Sequence, residues 1–229
     1  MDALLRRRQM MLTGGTPPAP LPYTPVEYIV SDGACYINAH LFATPPRSCE
    51  MKVKMGSNTA CSLLAGWMAA SGSNAQQFAL ARYNAAKCIT FAYYNTYGSG
   101  DGMPSVAYSI DNDRPFIVKT DIKKGSQHIS VKQEDSDSWT TVTKTNNNNV
   151  SSEWNLRIFS AYRNGQDETI APAGTRLYYC KIYSDATYTT LVRDFVPCIY
   201  QGEYGLWDKV NDTFFGNSGS GTFSGPSNQ

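Results

Sequence analysis

The amino-acid sequence predicts an all-β domain built from two stacked antiparallel sheets. Its 229 residues include 15 Tyr, 9 Phe and 18 Gly but only 17% charged residues, a composition that favours pleated sheet and turns over helix. After residue 25, short strand-like runs alternate with turn residues at the spacing of about 8–12 residues that is typical of sandwiches and barrels. These runs are too many, and helical patterns too scarce, for a fold of alternating strands and helices.

Each predicted strand is a short run rich in aromatic or β-branched residues, or one in which apolar and polar residues alternate. Gly and Asn clusters at 72–74, 98–102, 146–149 and 216–221 form the main loops, because these residues reach the left-handed conformations of turns. The predicted strands are 27–30, 35–42, 49–55, 63–68, 77–83, 88–94, 105–110, 116–122, 128–133, 139–144, 156–162, 176–183, 191–197 and 213–215.

Alternation also indicates which side chains face the core. Between Cys49 and Met55 apolar residues alternate with Glu and Lys, so Cys49 is predicted to lie on the buried face of a strand. Ile129 and Val131 are expected to be buried in the same way. The six cysteines include no C-x-x-C pair, and we expect buried, reduced thiols for most of them in preference to disulfides.

The first 25 residues differ from the rest of the chain. Residues 1–12 are apolar at both ends with three arginines between, and residues 13–25 carry five prolines that favour an extended tether. We predict an arm over 1–25 and a single sandwich domain over 26–229, and a disordered leader is the alternative to an anchoring arm. Docking of a short helix in the arm on another protein would use Leu4, Leu5, Arg6, Arg7, Arg8, Met10, Met11 and Leu12.

Two segments carry a resemblance to a known family. They are VEYIVSDGACYI at 26–37 and RLYYCKIYSDATYTTLVRDFVPCIYQGEYGLWDKVNDTFFGNSGSGTF at 176–223. Together they closely resemble a LamG-like, concanavalin A-like jelly-roll family that is common in gut Bacteroidales and their phages. The match extends over nearly all of the chain after the arm, and the family's leaders with three arginines and a Gly/Pro tether are similar to residues 6–22. The resemblance implies a concanavalin A-like jelly-roll sandwich.

The closing segment has a physical interpretation of its own. Strands at 177–183 and 191–197 flank a polar turn at 184–188, which predicts a hairpin. The apolar residues and turn formers of 205–217 predict a second, small hairpin that closes an edge of the sandwich. The expected role of the closing segment is therefore structural.

Particular positions within this segment also carry expectations. Arg193 and Asp194 are adjacent on a strand and should point to opposite faces, so they are not a simple pair. The chain departs from the family pattern by carrying Trp207 in place of Tyr and a longer turn at 188–190. Both departures are compatible with the fold and predict nothing about a ligand.

The usual parts of an enzyme active site are missing from the sequence. Only two histidines occur, which excludes a three-histidine zinc site and an H-E-x-x-H motif, and no G-x-S-x-G motif is present. The nearest counterpart of the paired carboxylates of jelly-roll glycosidases is Glu134 with Asp135, at the wrong spacing and in a polar loop. Asp101, or Asp111 with Asp113, is a conceivable calcium ligand, but these residues lack the ligand order of an EF-hand site. We expect no enzymatic activity, no cofactor and no metal ion.

Carbohydrate binding stays open, because aromatic rings stack on the apolar faces of sugars while amides and carboxylates bind their hydroxyls. One candidate site comprises Tyr94, Asn95, Tyr97 and Asp101, where a predicted strand enters a Gly-rich loop. The alternative places these tyrosines in a core strand and its exit. A second candidate is Trp139, which follows a polar run that contains two aspartates.

Charge and hydropathy restrict the classes of partner. A formal net charge of +1 argues against nucleic acid, and no run of about 20 apolar residues predicts membrane insertion. The first residues also lack the uninterrupted apolar stretch of a secretion signal.

An adhesive β-domain without an export signal suits a phage virion protein, made in the host cytoplasm and released by lysis. We therefore expect a virion decoration or fibre-type subunit, homo-oligomeric by virion symmetry, whose arm contacts other virion proteins. By the family resemblance, its outward jelly roll would bind host surface glycans. The alternatives are a bacterial cell-surface lectin and a divergent glycoside hydrolase.

Overall fold

The computed structural model describes residues 20–42, 47–68, 76–83, 88–94, 105–106, 113–123, 125–146, 155–163, 166–168 and 170–226. These ranges contain strands and turns and no helix, hence none that is long and apolar enough to cross a membrane. The strands are β1 Thr24–Pro25, β2 Ile29–Val30, β3 Ile37–Phe42, β4 Arg47–Lys54, β5 Cys61–Met68, β6 Gln76–Tyr83, β7 Cys88–Tyr94, β8 Ser105–Val106, β9 Phe116–Lys123, β10 Gly125–Gln133, β11 Thr140–Asn146, β12 Asn155–Ile158, β13 Ala161–Arg163, β14 Gln166–Glu168, β15 Arg176–Tyr183, β16 Leu191–Tyr200, β17 Glu203–Asp208 and β18 Thr213–Phe215.

The strands form two antiparallel sheets, which confirms the predicted all-β, jelly-roll type of sandwich. The larger sheet has ten strands in the order β11-β10-β9-β4-β15-β16-β17-β18, with β1 paired to β16 and β2 paired to β15. The smaller sheet has the order β3-β12-β5-β6-β7-β8, and β13 and β14 pair separately. Buried side chains from both sheets form the core, including Met51, Phe116 and Phe195 from the larger sheet and Ile37 and Leu64 from the smaller.

Alternation along the strands separates the core from the surface as predicted. In β4, Cys49, Met51 and Val53 are buried, whereas the residues between them are only partly buried. In β10, Ile129 and Val131 are buried in the same way. The larger sheet therefore has an inner, apolar face and an outer face of polar and aromatic side chains.

Five of the six cysteines are buried and free of disulfide bonds, namely Cys35, Cys49, Cys61, Cys180 and Cys198. Burial raises the pKa of Cys49 to about 12 and that of Cys198 to about 12. Such thiols are not ionised at neutral pH and behave as small apolar side chains. The expectation of buried, reduced thiols is confirmed for these five, and the side chain of Cys88 lies outside the described residues.

Most predicted strands occur where the sequence placed them, with ends shifted by a few residues. The predicted run 156–162 divides into β12 and β13, because Phe159 has a φ of 72° and interrupts the extended backbone. Strand β17 was absent from the predicted strands, but it pairs with β18 at the edge of the larger sheet and so confirms the small hairpin predicted over 205–217. It follows β16 after a tight turn in which Gln201 and Gly202 have φ values of 51° and 87°. Strands β1 and β14 are also additions, and residues 107–110 of a predicted strand lie outside the described residues.

The two segments that carry the family resemblance lie next to each other. The backbones of Val30 and Ser224 exchange two hydrogen bonds, of 2.7 and 3.1 Å. The side chain of Asn217 accepts a hydrogen bond from the Tyr36 N–H at 3.2 Å and donates one to the Gly221 carbonyl at 2.6 Å. The resemblance-bearing segments thus join the beginning of the domain to its end, a contact that the sequence did not predict.

Asp208, at the end of β17, has a fully buried carboxylate. This carboxylate accepts hydrogen bonds from the backbone N–H groups of Asp194 at 3.0 Å and Val210 at 3.1 Å, and from the Asn211 amide at 2.6 Å. The guanidinium of Arg193 lies 3.6 Å from it. The buried charge is therefore compensated on every side by hydrogen bonds and an opposite charge.

Arg193 also connects the two sheets. It belongs to β16 of the larger sheet, and its Nε and Nη2 atoms donate hydrogen bonds of 3.2 Å each to the carbonyls of Ala39 and His40 in β3 of the smaller sheet. The neighbouring Asp194 pairs instead with Lys209, at 3.5 Å. Different partners for the two side chains are in keeping with the predicted opposite faces.

The last residues of the predicted arm contact the sandwich. The Tyr23 ring stacks on Trp207 with ring centroids 4.8 Å apart, and Thr24 pairs with Ile199 between β1 and β16. Trp207, one of the departures from the family pattern, is the ring on which Tyr23 lies. Residues 1–19, including all the predicted docking residues, lie outside the described residues, so the arm stays a prediction.

Replacing Asp208 by Ala is expected to lower the free energy of unfolding by about 3–5 kcal/mol, because Arg193 loses its buried partner and three N–H groups lose their acceptor. Urea denaturation followed by circular dichroism measures this change. Asp137→Ala, in an exposed turn, is the control and should stay within about 0.5 kcal/mol of the wild type. Equal stabilities for the two variants would contradict the role assigned to Asp208.

Candidate functional site

The first candidate site that the sequence predicted lies mostly outside the described residues. Tyr94 is the last residue of β7, and its side chain is not among those described. Asn95, Tyr97 and Asp101 follow it in a segment outside the described residues. This candidate therefore stays a prediction.

Trp139, the second candidate, immediately precedes β11 at the outer face of the larger sheet. Its side chain is 38% exposed, which is unusual for so large an apolar residue. The alternation that buries Val118 and Thr120 in β9 directs Lys119 outward, and the same alternation in β10 directs Lys132 outward. Two lysines are thereby placed beside the tryptophan.

The ammonium groups of both lysines approach the Trp139 indole. The distance from the ring centroid to Nζ is 5.2 Å for Lys119 and 5.4 Å for Lys132, within the range of cation–π attraction. Lys132 Nζ also donates a hydrogen bond of 3.0 Å to the Ser136 carbonyl in the turn before Trp139. These contacts position the indole against β9 and β10 and leave more than a third of it open to solvent.

A row of outward-facing polar residues crosses the sheet next to Trp139. The strand register places Ser130, Lys119, Glu50 and Lys181 opposite one another on β10, β9, β4 and β15. Lys119 Nζ lies 2.9 Å from Glu50 Oε2. Charges of opposite sign therefore alternate along the row from Lys119 to Lys181, an arrangement that favours this register.

Glu50 lies at the centre of this row as a hydrogen-bonded carboxylate. The Tyr179 hydroxyl donates to its Oε1 atom at 2.7 Å. Burial alone raises the pKa of Glu50, but the Tyr179 hydrogen bond and the Lys119 ammonium outweigh it and bring the pKa below its ordinary value. Burial and the Glu50 charge raise the pKa of Tyr179. At neutral pH the pair is thus an ionised acceptor and a neutral donor.

Tyr188 reaches the same face from the turn between β15 and β16. Its ring centroid lies 5.6 Å from Lys119 Nζ, its ring packs edge-on to Tyr183 at 5.4 Å, and its hydroxyl donates to Asp121 at 3.5 Å. Burial and the Asp121 charge raise the pKa of Tyr188. Lys119 therefore contacts an aromatic ring from each of two separate turns, Trp139 and Tyr188.

Asp185 fixes the turn that carries Tyr188. Its carboxylate accepts hydrogen bonds from the N–H groups of Thr187 at 2.7 Å, Thr189 at 3.2 Å and Thr190 at 2.5 Å. The Thr187 hydroxyl and these N–H groups hold the pKa of Asp185 well below its usual range. The turn so formed places Tyr188 at a φ of 58°, in the left-handed region that a bulky residue adopts only when its surroundings impose it.

These side chains together form one outward surface, which we name the Trp139 face. It comprises Glu50, Lys119, Asp121, Lys132, Trp139, Tyr179, Lys181 and Tyr188. All of them except Trp139 and Tyr188 lie on strands, so the backbone of the sheet fixes their spacing.

Sequence reasoning found only Trp139 from this face. Alternation signals that Glu50 and Lys119 point outward, but it does not show that they are neighbours, because the pairing of β4 with β9 joins segments far apart in the chain. The lengthened turn at 188–190 was a signal for Tyr188 in the sequence, but the sequence analysis did not connect this turn with ligand binding. That turn in fact brings an aromatic ring to the Trp139 face.

The carboxylates considered for a glycosidase lie in the turn after β10, in agreement with the predicted polar loop. Glu134 pairs with Lys52, and Asp135 pairs with Arg114 at 2.6 Å. Each carboxylate thus already has a cationic partner. Within the described ranges, no group of three or more His, Cys, Asp or Glu side chains is arranged to hold a metal ion.

A separate open groove of about 440 Å³ lies at the rim formed by β3, β17 and β18. Its lining includes His40, Glu203 and Phe214. Glu203 is engaged with the backbone N–H of Asn217 at 3.3 Å, and the His40 ring lies 5.9 Å from that of Phe215. The groove has aromatic and polar groups of the kind that bind small polar molecules, and most of its residues belong to the segment that closes the domain.

No known sequence family and no curated protein matches this chain. Among solved structures, it is similar to the CBM40 domain of the Ruminococcus gnavus IT-sialidase bound to α2,3-sialyllactose, with 16% identity over 63% of this chain and 78% of that one and a TM-score of 0.46. It is also similar to the LG1-3 region of the laminin α2 chain, with 12% identity over 87% of this chain and 34% of that one and a TM-score of 0.49.

A third similar structure is the full-length tailspike protein 2 of the Escherichia coli O157:H7 bacteriophage CAB120. The identity is 11% over 73% of this chain and 26% of that one, with a TM-score of 0.48. Likenesses of this degree assign neither a ligand nor an activity to this chain.

Replacing Asp185 by Ala is expected to speed amide hydrogen exchange of Thr189 and Thr190 several-fold, because both N–H groups lose their acceptor. Exchange in β9 is the internal control and should not change. In the wild type, protection of the turn is present above the ordinary carboxyl pKa of about 3.9 and is lost only as pH falls through the lower pKa of the folded state. Unchanged exchange in the variant would contradict the positioning role of Asp185.

Proposed function

We propose that this protein binds glycans on the Trp139 face. The observation that carries the proposal is the exposed Trp139 indole, flanked by the Lys119 and Lys132 ammonium groups at 5.2 and 5.4 Å from its centroid and backed by the Lys119–Glu50 pair. A flat apolar ring beside fixed charged groups is the combination that a sugar requires.

Each group on the face has a role toward a sugar. A pyranose presents an apolar C–H face, which stacks on the indole, and a rim of hydroxyls, which exchange hydrogen bonds with charged groups. Glu50 accepts from a hydroxyl and Lys119 donates to one. Because both residues lie on adjacent strands and are already hydrogen-bonded, little conformational entropy is lost on binding.

Replacing Trp139 by Ala is expected to weaken glycan binding by about tenfold to hundredfold, the loss typical of a central aromatic contact. Arrayed bacterial-surface polysaccharides and their oligosaccharides identify a bound glycan, and isothermal titration of that glycan measures both affinities. Phe42→Ala, which removes another exposed aromatic ring from the smaller sheet, is the matched control and should bind as the wild type does.

Equal affinities for the wild type and Trp139→Ala would contradict the proposal. Loss of binding on changing Tyr97 would move the site to the first predicted candidate, and loss of binding on changing His40 would move it to the groove. Release of reducing sugar from the bound polysaccharide, abolished by Glu134→Gln, would indicate a glycoside hydrolase instead.

We further propose that the protein is a virion component, a decoration or fibre-type subunit held by its N-terminal arm. The family resemblance and the composition of residues 1–12 support this proposal. The Tyr23–Trp207 stack and the pairing of β1 with β16 also support it, because they attach the end of the arm to the sandwich at a fixed position. The arm is thereby attached to the larger sheet, the same sheet whose outer face carries the proposed glycan site.

Deleting residues 1–22 is expected to leave the unfolding midpoint unchanged, because the deletion spares Tyr23 and β1, and to abolish incorporation into particles. Mass spectrometry of purified particles compares the two forms. Unaltered incorporation would remove the anchoring role of the arm. Labelling of the protein on the surface of uninfected cells would favour a bacterial surface lectin.

A further inference from the structure

The two lysines beside the Trp139 indole differ in their charged partners. Lys119 is paired with Glu50, and Glu50 is bound on its other oxygen by the Tyr179 hydroxyl. Lys132, in contrast, has no carboxylate within 4.0 Å among the described residues. Within the ranges that the structure describes, its Nζ atom contacts the uncharged carbonyl of Ser136, at 3.0 Å, and the Trp139 ring. One ammonium group beside the indole is therefore left without a carboxylate partner in the described part of the chain.

Two of the three acidic residues in the turn before Trp139 are paired with other cations. Glu134 pairs with Lys52 and Asp135 pairs with Arg114, whereas Asp137, the third carboxylate of the preceding turn, is exposed and forms no ion pair with Lys132. On the far side of Lys119, Asp121 accepts the hydrogen bond of the Tyr188 hydroxyl. Lys132 therefore lies beside the exposed indole without a carboxylate partner among the described residues.

We infer that the Trp139 face selects glycans that bear carboxylates, with Lys132 binding the carboxylate of a sugar ring that stacks on Trp139. This inference rests on the proposed function and adds the charge class of the ligand. An ammonium–carboxylate contact is a charge-assisted hydrogen bond, about twice as strong as a neutral one. Because Lys132 is only partly buried and is already held by the Ser136 carbonyl, its side chain needs little reordering to receive the carboxylate.

Matched pairs of probes test this inference. The probes are oligomers of galacturonate, glucuronate, mannuronate and guluronate and a sialylated trisaccharide, each compared with the same molecule after methyl esterification of its carboxylates. Esterification removes the charge and keeps the ring. Isothermal titration of the full-length protein is expected to show at least one acid form binding about tenfold more tightly than its ester. Salt should reduce that difference. The pairs also separate uronate from sialate as the source of the carboxylate.

Three variants assign the selectivity to residues. Lys132→Gln is expected to lower the affinity for the acid form about tenfold, to the level of its ester, and to leave the affinity for the ester unchanged. Trp139→Ala should weaken binding of both forms. Lys144→Gln is the control, because Lys144 is exposed on β11 five residues from Trp139, about 16 Å along the strand. That variant should keep both affinities.

The outcomes separate this inference from the proposal on which it rests. Glycan binding that depends on Trp139 but is equal for acids and esters, or absent for all acids in the panel, overturns the carboxylate preference and leaves the glycan site in place. A preference for acids that persists in Lys132→Gln overturns the role of Lys132. Binding that Trp139→Ala does not weaken overturns the site itself.

Discussion

The ion pair between the partly buried Arg193 and the fully buried Asp208 is the interaction on which the arrangement of the sandwich depends. Asp208 accepts hydrogen bonds from β16 and from the turn after β17, and Arg193 donates from β16 to two carbonyls of β3 in the other sheet. A buried pair adds little net stability over an apolar contact, but once either partner is lost a charge stays buried without compensation. The main effect of the pair is therefore to specify how the two sheets pack, and its contribution to the free energy of unfolding is secondary.

The Trp139 face follows from this arrangement. With β16 fixed, the β15–β16 turn closes around Asp185 and directs Tyr188 over β9, where Lys119 already contacts Trp139. The pairing of β15, β4, β9 and β10 then sets Lys181, Glu50 and Lys119 in one row. The hydrogen-bonded strands of the sheet fix the distances between the side chains that a ligand on this face would contact. This rigid spacing is the physical basis of the proposed glycan site.

Local pattern was sufficient for the strands and insufficient for the site. Strand β15 coincides with the predicted run 176–183, because aromatic and β-branched residues in alternation leave little choice of structure. The break at Phe159 escaped prediction, since a left-handed φ at a bulky residue is imposed by tertiary packing. Trp139 was found because a lone tryptophan in a polar turn is visible in sequence. Its partners Lys119 and Glu50 were not found, because strand register joins them and register is a property of the whole sheet.

The crystal structure of the protein in complex with a bound oligosaccharide tests the central claim most directly. The account predicts electron density for a sugar ring stacked on the Trp139 indole, with polar contacts to Lys119, Lys132 or Glu50. Sugar density confined to the groove beside His40 or to the residues that follow Tyr94, with the Trp139 indole uncovered, would contradict it.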